Sequence, residues 1–346
     1  MKIHEFYINR CIQLAKNGLG TTYPNPLVGS VIVYDNKIIS EGWHKKSGKP
    51  HAEVNAINAV KDKSLLSKST IYISLEPCSH FGKTPPCCDL IIKHKIPNVV
   101  VGTIDPNNKV AGTGIKRLIE NGTNVIVGVL EKECNELNKR FFTFHQKKRP
   151  YIILKWAESL DGFIAPLSKE KQEPVWISNE FSRQLVHQWR SEEQAILVGT
   201  KTVLDDNPKL DVRDWEGENP MRIVLDRTGK ISNGYFVKDE KTKTIIITEQ
   251  ENLTSNENCI YENVIFDVQL TKKIVDISYK YGIQSILIEG GRQTIQRFID
   301  DNVWDEARVF KGHVHLKSGI KAPILNGDFQ SKNIKDDQLK LFFNYD

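Results

Sequence analysis

Two stretches decide how the rest of the chain is read: Pro50-His51-Ala52-Glu53, and Thr70-Ile71-Tyr72-Ile73-Ser74-Leu75-Glu76-Pro77-Cys78-Ser79-His80-Phe81-Gly82-Lys83-Thr84-Pro85-Pro86-Cys87. The first sets an imidazole and a carboxylate two positions apart. The second runs an apolar strand into one thiol, then reaches another after eight intervening residues. One His and two Cys suit zinc, which keeps its fourth position for water and lowers that water's pKa towards ~7. Glu53, as a non-ligand, is then the proton carrier. Pro50 predicts a helix opening at its favoured first position. His51 and Glu53 fall in the first turn, and Val54, Ile57 and Val60 on the buried face. Pro85-Pro86 lead into a second helix, Cys87 to Lys95, whose N-terminus favours thiolate over thiol. Cys88 lies about 100° further round that helix and is expected to pack. The competing reading is a structural zinc site with His80 as fourth ligand, in which Glu53 has no use.

Working outward, apolar positions at Ile3, Phe6, Tyr7, Cys11, Leu14 and Ala15 predict a helix over 3–17, ended by Gly18 and Gly20. A Pro-Asn-Pro loop follows at 24–26, then a hairpin from Val28 to Gly42 turning at Asp35-Asn36. Thr70–Leu75 reads as a buried strand, and Val99–Ile104 and Val125–Val129 as two more, with a helix Ile115–Glu120 between them. One helix from Glu131 to about Phe144 closes this half. Gln146-Lys147-Lys148-Arg149-Pro150 is polar and Pro-terminated, which divides the chain into domains 1–147 and 148–346. In the second half Tyr151–Ala157, Ala195–Gly199, Arg222–Asp226, Thr244–Thr248 and Ser285–Ile288 read as strands. Ser178 is the expected cap of a helix reaching Arg190, and a short helix follows Thr200. Strands alternating with helices make both halves α/β layered domains.

The chain has 346 residues, 39% hydrophobic and 26% charged, with a formal net charge of +5. That describes a globular protein of two domains. The mild positive excess suits an anionic small substrate and is too weak to argue for nucleic acid. Six Cys are present. Three cluster around the proposed metal, and Cys11, Cys134 and Cys259 are expected to be small core residues. Clustered thiols beside His-x-Glu fit metal in a reducing, cytoplasmic compartment better than disulfides. No apolar run approaches the ~18 residues of a membrane span, and the N-terminus has no signal-peptide pattern.

Lys155 within an apolar strand needs an anionic partner and reads equally as a substrate contact or a snorkelling surface Lys. Glu289-Gly290-Gly291 at a strand-to-helix junction is either a phosphate cradle of backbone N–H groups or a plain tight turn. No G-x-G-x-x-G occurs, so an ordinary dinucleotide fingerprint is not supported. Asp205-Asp206-Asn207-Pro208 has the look of a metal-binding acidic pair, but helix capping and turn formation are the cheaper explanation. Taken by themselves, Trp176 and Trp189 read as core.

His-x-Glu followed by Pro-Cys matches the signature of zinc deaminases, apart from the second Cys, which comes later than their C-x-x-C. Over nearly its whole length the chain resembles the bifunctional deaminase–reductase family of riboflavin biosynthesis. The matching segments in the first half are Tyr23–Gly29, Pro50–Glu53, Glu76–Cys87 and Asp105–Gly114. In the second they are Arg149–Lys155, Ser159–Gly162, Trp176–Ser178, Val198–Thr202, Asp205–Pro208 and Glu289–Gly291. Thr84-Pro85-Pro86-Cys87, with its eight-residue gap, separates this family from the nucleoside and tRNA deaminases.

The resemblance implies a cytidine-deaminase-like three-layer N-terminal domain and a dihydrofolate-reductase-like C-terminal domain. It implies one Zn2+ per chain on His51, Cys78 and Cys87, Glu53 as catalytic residue, and Asn25 at the pyrimidine. In the reductase it places Lys155, Arg190, Leu210, Arg213 and Glu289 at the substrate. Ala157, Trp176, Thr202, Asp206, Gly291, Arg292, Gln293 and Thr294 fall at NADPH. The implied activity is hydrolytic deamination of a phosphoribosylamino-diaminopyrimidinone, then reduction of its ribosyl chain to ribityl. The expected partner is that small phosphorylated pyrimidine, with no nucleic acid or membrane, and the expected assembly is a homo-oligomer. Pro174 stands where the family commonly has a small polar residue, and the 168–173 stretch is longer than usual. The rival is a nucleic-acid base deaminase with a C-terminal RNA-binding domain. Against it stand Asp205, Asp206, Asp211, Asp214, Glu216 and Glu218, where a basic, aromatic-interleaved face would be needed.

Overall fold

Successive side chains along a strand point to opposite faces, and that alternation sorts the helices of this protein onto two sides of each sheet. The computed structural model describes residues 2–81, 85–106 and 111–344. Thr84 with the rest of 82–84, and 107–110 within the Asp105–Gly114 segment, lie outside the described residues. The chain divides into two units, Met1–Lys148 and Arg149–Asp346. The division falls one residue after the expected one.

The first unit contains α1 (Lys2–Ala15), β1 (Gly29–Tyr34), β2 (Lys37–Trp43), α2 (Ala52–Ala59), β3 (Thr70–Leu75), α3 (Cys87–Lys93), β4 (Asn98–Thr103), α4 (Thr113–Glu120), β5 (Asn124–Val127), α5 (Glu131–Leu137) and α6 (Lys139–Lys147). Its sheet has the order β2-β1-β3-β4-β5. β1 is antiparallel to both β2 and β3, while β3, β4 and β5 run parallel. Val31, Val33, Tyr72 and Val100 face α1 and α5, meeting Tyr7, Ile8, Cys11 and Cys134. Ile32, Ile71, Ile73, Val99 and Val101 face the other way, onto Ala56 and Ile57 of α2, Ile91 of α3 and Leu118 of α4. Burying each such aliphatic side chain contributes roughly 1.5–3 kcal/mol. This double layer holds β3, the strand that ends at Cys78.

Three local readings need correction. α2 starts at Ala52, and His51 is its N-cap residue in extended conformation (φ −69°, ψ 168°). Pro50 therefore lies outside the helix, its carbonyl accepting from Asn55 Nδ2 at 3.2 Å. Val54 is only half-buried, and Glu53 takes a buried place instead. The single helix expected over Glu131–Phe144 is two. Asn138 separates them because its side chain is committed elsewhere, accepting from Leu27 N–H at 2.8 Å and donating to Leu27 O at 2.9 Å.

The second unit contains β6 (Tyr151–Glu158), β7 (Phe163–Ala165), α7 (Glu180–Glu192), β8 (Ala195–Gly199), α8 (Thr200–Asp206), β9 (Met221–Leu225), β10 (Thr244–Thr248), β11 (Cys259–Asn263), α9 (Leu270–Lys280), β12 (Ser285–Ile288), α10 (Arg292–Asp300), β13 (Glu306–Lys311), β14 (Ile320–Lys321), β15 (Phe329–Ile334) and β16 (Asp337–Phe343). The main sheet has the order β11-β10-β9-β8-β12-β6-β13-β16-β15, and β7 pairs separately with β14. From β11 to β13 all neighbours are parallel. β13–β16–β15 is antiparallel.

Ile196, Val198, Val224 and Ile246 pack with Val203 of α8, and Ile153 and Leu287 pack with Val186 and Trp189 of α7. Ala195, Leu197, Ile223, Ile286 and Ile288 point to the opposite face, onto Ile274 of α9 and Ile295 and Phe298 of α10. The cap of α7 is Asn179, one residue after the expected Ser178. Its side chain accepts from Ser182 N–H at 3.0 Å and donates to Ile334 O at 2.8 Å. Both units have the expected α/β layered form. No helix among the described residues is long and apolar enough to cross a membrane.

Candidate active sites

In the first unit α2 lies tight on β2. A Cβ at Gly42 would fall 2.5 Å from Ala56 N and 2.6 Å from Ala52 O, so only glycine permits this approach. It seats the start of α2, with His51, opposite the end of β3. His51 Nδ1 stands 3.6 Å from Cys78 Sγ and 3.4 Å from Cys87 Sγ, and the three donor atoms lie within 4.8 Å of one another. Four ligands at ~2.0–2.3 Å from a tetrahedral zinc stand about 3.3–3.8 Å apart, so these three fit the ion. His80 is exposed and outside this donor group. Cys88 is buried and turned away, its thiol donating to Pro77 O at 3.3 Å.

Cys78 Sγ accepts the Cys87 backbone N–H at 3.3 Å. The hydrogen bond from the Cys87 thiol, then the nearby His51 and this N–H, lower the Cys78 pKa against its burial, while Cys87 is raised by the same thiol–thiolate bond and by burial. Glu53 is 3% exposed. Burial, and then the Cys78 charge, push its carboxyl up to about 7. A carboxyl near neutrality can both take and give a proton at pH 7.

Two residues of this site went unassigned in the sequence. His44 Nδ1 lies 3.2 Å from Pro50 O and its Nε2 lies 3.1 Å from Asn25 Nδ2. A ring that donates from Nδ1 to a carbonyl accepts at Nε2, so His44 fixes which way the Asn25 amide points. Its ring also meets His51 edge-on, with centroids 5.4 Å apart, and burial lowers its pKa. Glu76 is the other. Its buried carboxylate accepts Gly112 N–H at 2.9 Å and Asp105 N–H at 3.3 Å on Oε2, and Gly114 N–H at 2.9 Å and Ile115 N–H at 3.3 Å on Oε1. It ties the segment leading into α4 to the turn that carries Cys78. The available signal was an acid directly after an apolar strand. For His44 the sequence held none.

In the second unit the topology itself makes a crevice. β8 leads through α8 to β9 on one side, while β12 leads through α10 past β6 to β13 on the other. With α8 and α10 on opposite faces, the carboxyl ends of β8 and β12 form a switch point, where α/β sheets bind ligands. A Cβ at Gly290 would fall 2.4 Å from Val198 Cα and 2.6 Å from Gly199 N. Added at Gly199 it would meet Thr294 Oγ1 at 2.8 Å, and at Gly291 it would meet Thr202 Oγ1 at 3.4 Å. Gly291, Thr294 and Thr202 are thus brought together. Gly291 caps α10 with φ 49°. The N–H groups of this helix start, with the buried Arg292 Nε that has no partner among the described residues, suit a phosphate.

Beside this crevice Glu289 takes Arg190 Nε at 2.8 Å and Nη2 at 2.9 Å, with Lys155 Nζ at 3.5 Å. Burial raises the Glu289 pKa, but the Arg190 and Lys155 charges outweigh it and hold it at about 2. Burial lowers the Lys155 pKa, partly countered by Glu289. Arg190 Nη1 donates to Asp211 O at 3.2 Å, and Arg213 Nη1 donates to Asp211 Oδ1 at 2.7 Å. The Leu210 side chain is core, packed with Val203 and Val224 at φ 55°. Ala157 packs against the cluster under α7. Trp176 is exposed, with the Arg183 guanidinium 4.7 Å from its ring centre. Asp206 ends α8 and is ion-paired with Lys169 of the 168–173 stretch.

Comparison with known proteins agrees with both halves. The family model of the cytidine and deoxycytidylate deaminase zinc-binding region matches residues 1–103, and that of the RibD C-terminal domain matches 150–340. The chain is 40% identical to the riboflavin biosynthesis protein RibD of Aquifex aeolicus, covering 97% of this chain and 93% of the relative. It is 35% identical to RibD of Escherichia coli, covering 88% and 86%. Among solved structures it superposes on the diaminohydroxyphosphoribosylaminopyrimidine deaminase/5-amino-6-(5-phosphoribosylamino)uracil reductase of Thermotoga maritima with a TM-score of 0.88, at 37% identity and 98% coverage of each chain. Acinetobacter baumannii RibD gives a TM-score of 0.87 at 30% identity, covering 99% of each.

Proposed function

The chain belongs to the RibD family of riboflavin biosynthesis proteins, a zinc deaminase joined to a reductase, and from that premise we propose how its residues divide the work. The substrate is 2,5-diamino-6-(5-phosphoribosylamino)pyrimidin-4(3H)-one. His51, Cys78 and Cys87 would hold zinc, which when bound supplies a Lewis acid that brings a water's pKa towards ~7. Glu53 takes a proton from the attacking water and delivers it to the departing amine, so that ammonia leaves. Asn25, with its amide turned by His44, orients the pyrimidine.

In the second unit the deaminated product is reduced. Gly291, Arg292, Gln293 and Thr294 at the α10 start, with Ala157, Trp176, Thr202 and Asp206, would hold NADPH, which when bound would supply the hydride for C1′. The ribosyl ring oxygen leaves C1′ and takes a proton, giving the ribityl chain. Glu289 holds Lys155 and Arg190 in place at the substrate, with the backbone at Leu210 alongside. Because Arg190 is engaged by Glu289 through two nitrogens, Arg213 is the more accessible guanidinium for the phosphate. The reading places the enzyme in the cytoplasm, where its thiols stay reduced, and makes it a homo-oligomer. An RNA-binding second half is set aside, since 150–340 match the RibD C-terminal domain.

The observation that carries this reading is a buried carboxyl, Glu53, two residues after an imidazole that meets both thiols. Glu53→Gln abolishes ammonia release by the zinc-loaded protein, while NADPH oxidation on the deaminated intermediate persists. Ammonia release at the normal rate by that variant overturns the assignment.

A further inference from the structure

Away from the crevice, three segments of the second unit converge. His313 follows β13, Asp336 lies in the turn between β15 and β16, and Asp337 opens β16. Each offers a donor atom, and these atoms lie within 4.8 Å of one another. His313 Nδ1 meets Asp336 Oδ2 at 2.9 Å. Asp337 is 1% exposed. Its Oδ2 accepts Asn179 N–H at 2.8 Å and the Ser182 hydroxyl at 2.6 Å, but its buried Oδ1 has no partner among the described residues. Buried carboxylate oxygens are costly to leave without a donor, and a carboxylate with such an oxygen, grouped with an imidazole and a second carboxylate, matches what a cation requires.

We propose that His313, Asp336 and Asp337 form a structural site for a divalent first-row transition metal. An imidazole nitrogen with two carboxylates favours Mn2+, Co2+ or Zn2+ over the all-oxygen preference of Ca2+ and Mg2+. The supports of the ligands are already in place. Asn179 Nδ2 donates to Asp336 Oδ1 at 2.8 Å, and the start of α7 holds Asp337 Oδ2, so that Asp337 keeps an oxygen with no donor among the described residues. Such outer partners orient metal ligands. Donors about 2.1 Å from a metal stand roughly 3–3.5 Å apart, so a pair at the 4.8 Å limit of the group closes by roughly 1.5 Å on binding. His313 and Asp336, with side chains 59% and 50% exposed, can move inward onto the fixed Asp337. The ion ties the end of β13 and the β15–β16 hairpin to the N-terminus of α7.

The test is a Mn2+ titration of the zinc-loaded enzyme, following free Mn2+ by its electron paramagnetic resonance signal. Zinc stays on its thiolates, so Mn2+ reports only the new site. One Mn2+ binds per chain. His313→Ala and Asp336→Asn each weaken it at least about tenfold, and Gly234→Ala leaves it unchanged. His313 is exposed and lies outside the hydrogen bonds that cap α7, so its replacement leaves the fold intact. No bound Mn2+ at millimolar concentration, or equal binding by His313→Ala, overturns the proposal.

Discussion

Replacing Gly290 by Ala tests the crevice of the second unit most directly. Gly290 has no positive φ, so the change adds a methyl without backbone strain. That methyl lands 2.4 Å from Val198 Cα, 2.6 Å from Gly199 N and 2.8 Å from Val198 Cβ, where ordinary contact begins at 3.4 Å. Two of these atoms are backbone and cannot rotate aside. The ends of β8 and β12 must part by about 1 Å, at an overpacking cost of roughly 1–3 kcal/mol, small enough for the unit to fold. A displacement of that size at a catalytic site lowers rate by about 10²-fold. With the deaminated intermediate as substrate, NADPH oxidation should fall by about 10–100-fold in kcat/KM, with a raised KM for NADPH. Ammonia release from the first unit should stay within about twofold. Gly234→Ala, where nothing lies within 4 Å of the added carbon, is the control. Wild-type NADPH kinetics in Gly290→Ala would show that the cofactor does not sit between these strand ends.

Three further outcomes are expected. Glu76→Gln turns an amide N–H2 towards two of four backbone N–H donors. At about 1–3 kcal/mol for each donor left unpaired, it should cost the first unit about 2–6 kcal/mol in urea unfolding and raise the deaminase KM, with reduction unaffected. His44→Ala should lower deaminase kcat about 10–100-fold with zinc content unchanged, because the Asn25 amide loses the partner that sets its direction; loss of zinc instead would show that His44 supports the metal. Glu289, held at about 2 against an ordinary 4.5, contributes stability that is fully present above pH ~4.5 and is lost as pH falls towards 2. About 2.5 pK units correspond to on the order of 3 kcal/mol. Urea unfolding between pH 5 and 2.5 should show that slope in the second unit, and Glu289→Gln should lack it.

Much of the fold was legible because parallel strands buried on both faces read as unbroken apolar runs. Thr70–Leu75, Ala195–Gly199 and Thr244–Thr248 stand in the structure with the bounds expected of them. What the sequence could not rank were neighbouring candidates for one local task. Ser178 and Asn179 are both good caps, and the choice falls to Asn179 because the β15–β16 hairpin offers its amide a second partner. Asn138 gives no local sign of breaking a helix, since its partner Leu27 is remote in the chain. The grouping of His51, Cys78 and Cys87, whose donor atoms lie within 4.8 Å of one another, was legible from residue type and spacing. His44 and Glu76 were not, because what they hold is backbone or an amide from distant segments. The Arg190–Glu289 pair was legible only as two separate positions. That they face each other follows from α7 crossing above β12.

β6 and β8 never touch, because β12 lies between them. During synthesis both emerge before residues 200–284 are made, and each must wait with an unpaired edge in the middle of what will be one sheet. The closing strand is the one that carries Glu289 at its exit and Gly290 against Val198. Docking of β12 therefore joins β6 to β8 and forms the crevice in one event, before β13, β16 and β15 extend the sheet beyond β6. A nascent or truncated chain ending before Ser285 has the half-sheet β11-β10-β9-β8 with an open edge at β8, and β6 without any of its partners in the main sheet, the kind of surface that pairs with other chains. The non-local order of this sheet makes its assembly slow relative to the first unit, whose β1–β2 hairpin and β3–β4–β5 succession join neighbours as they appear.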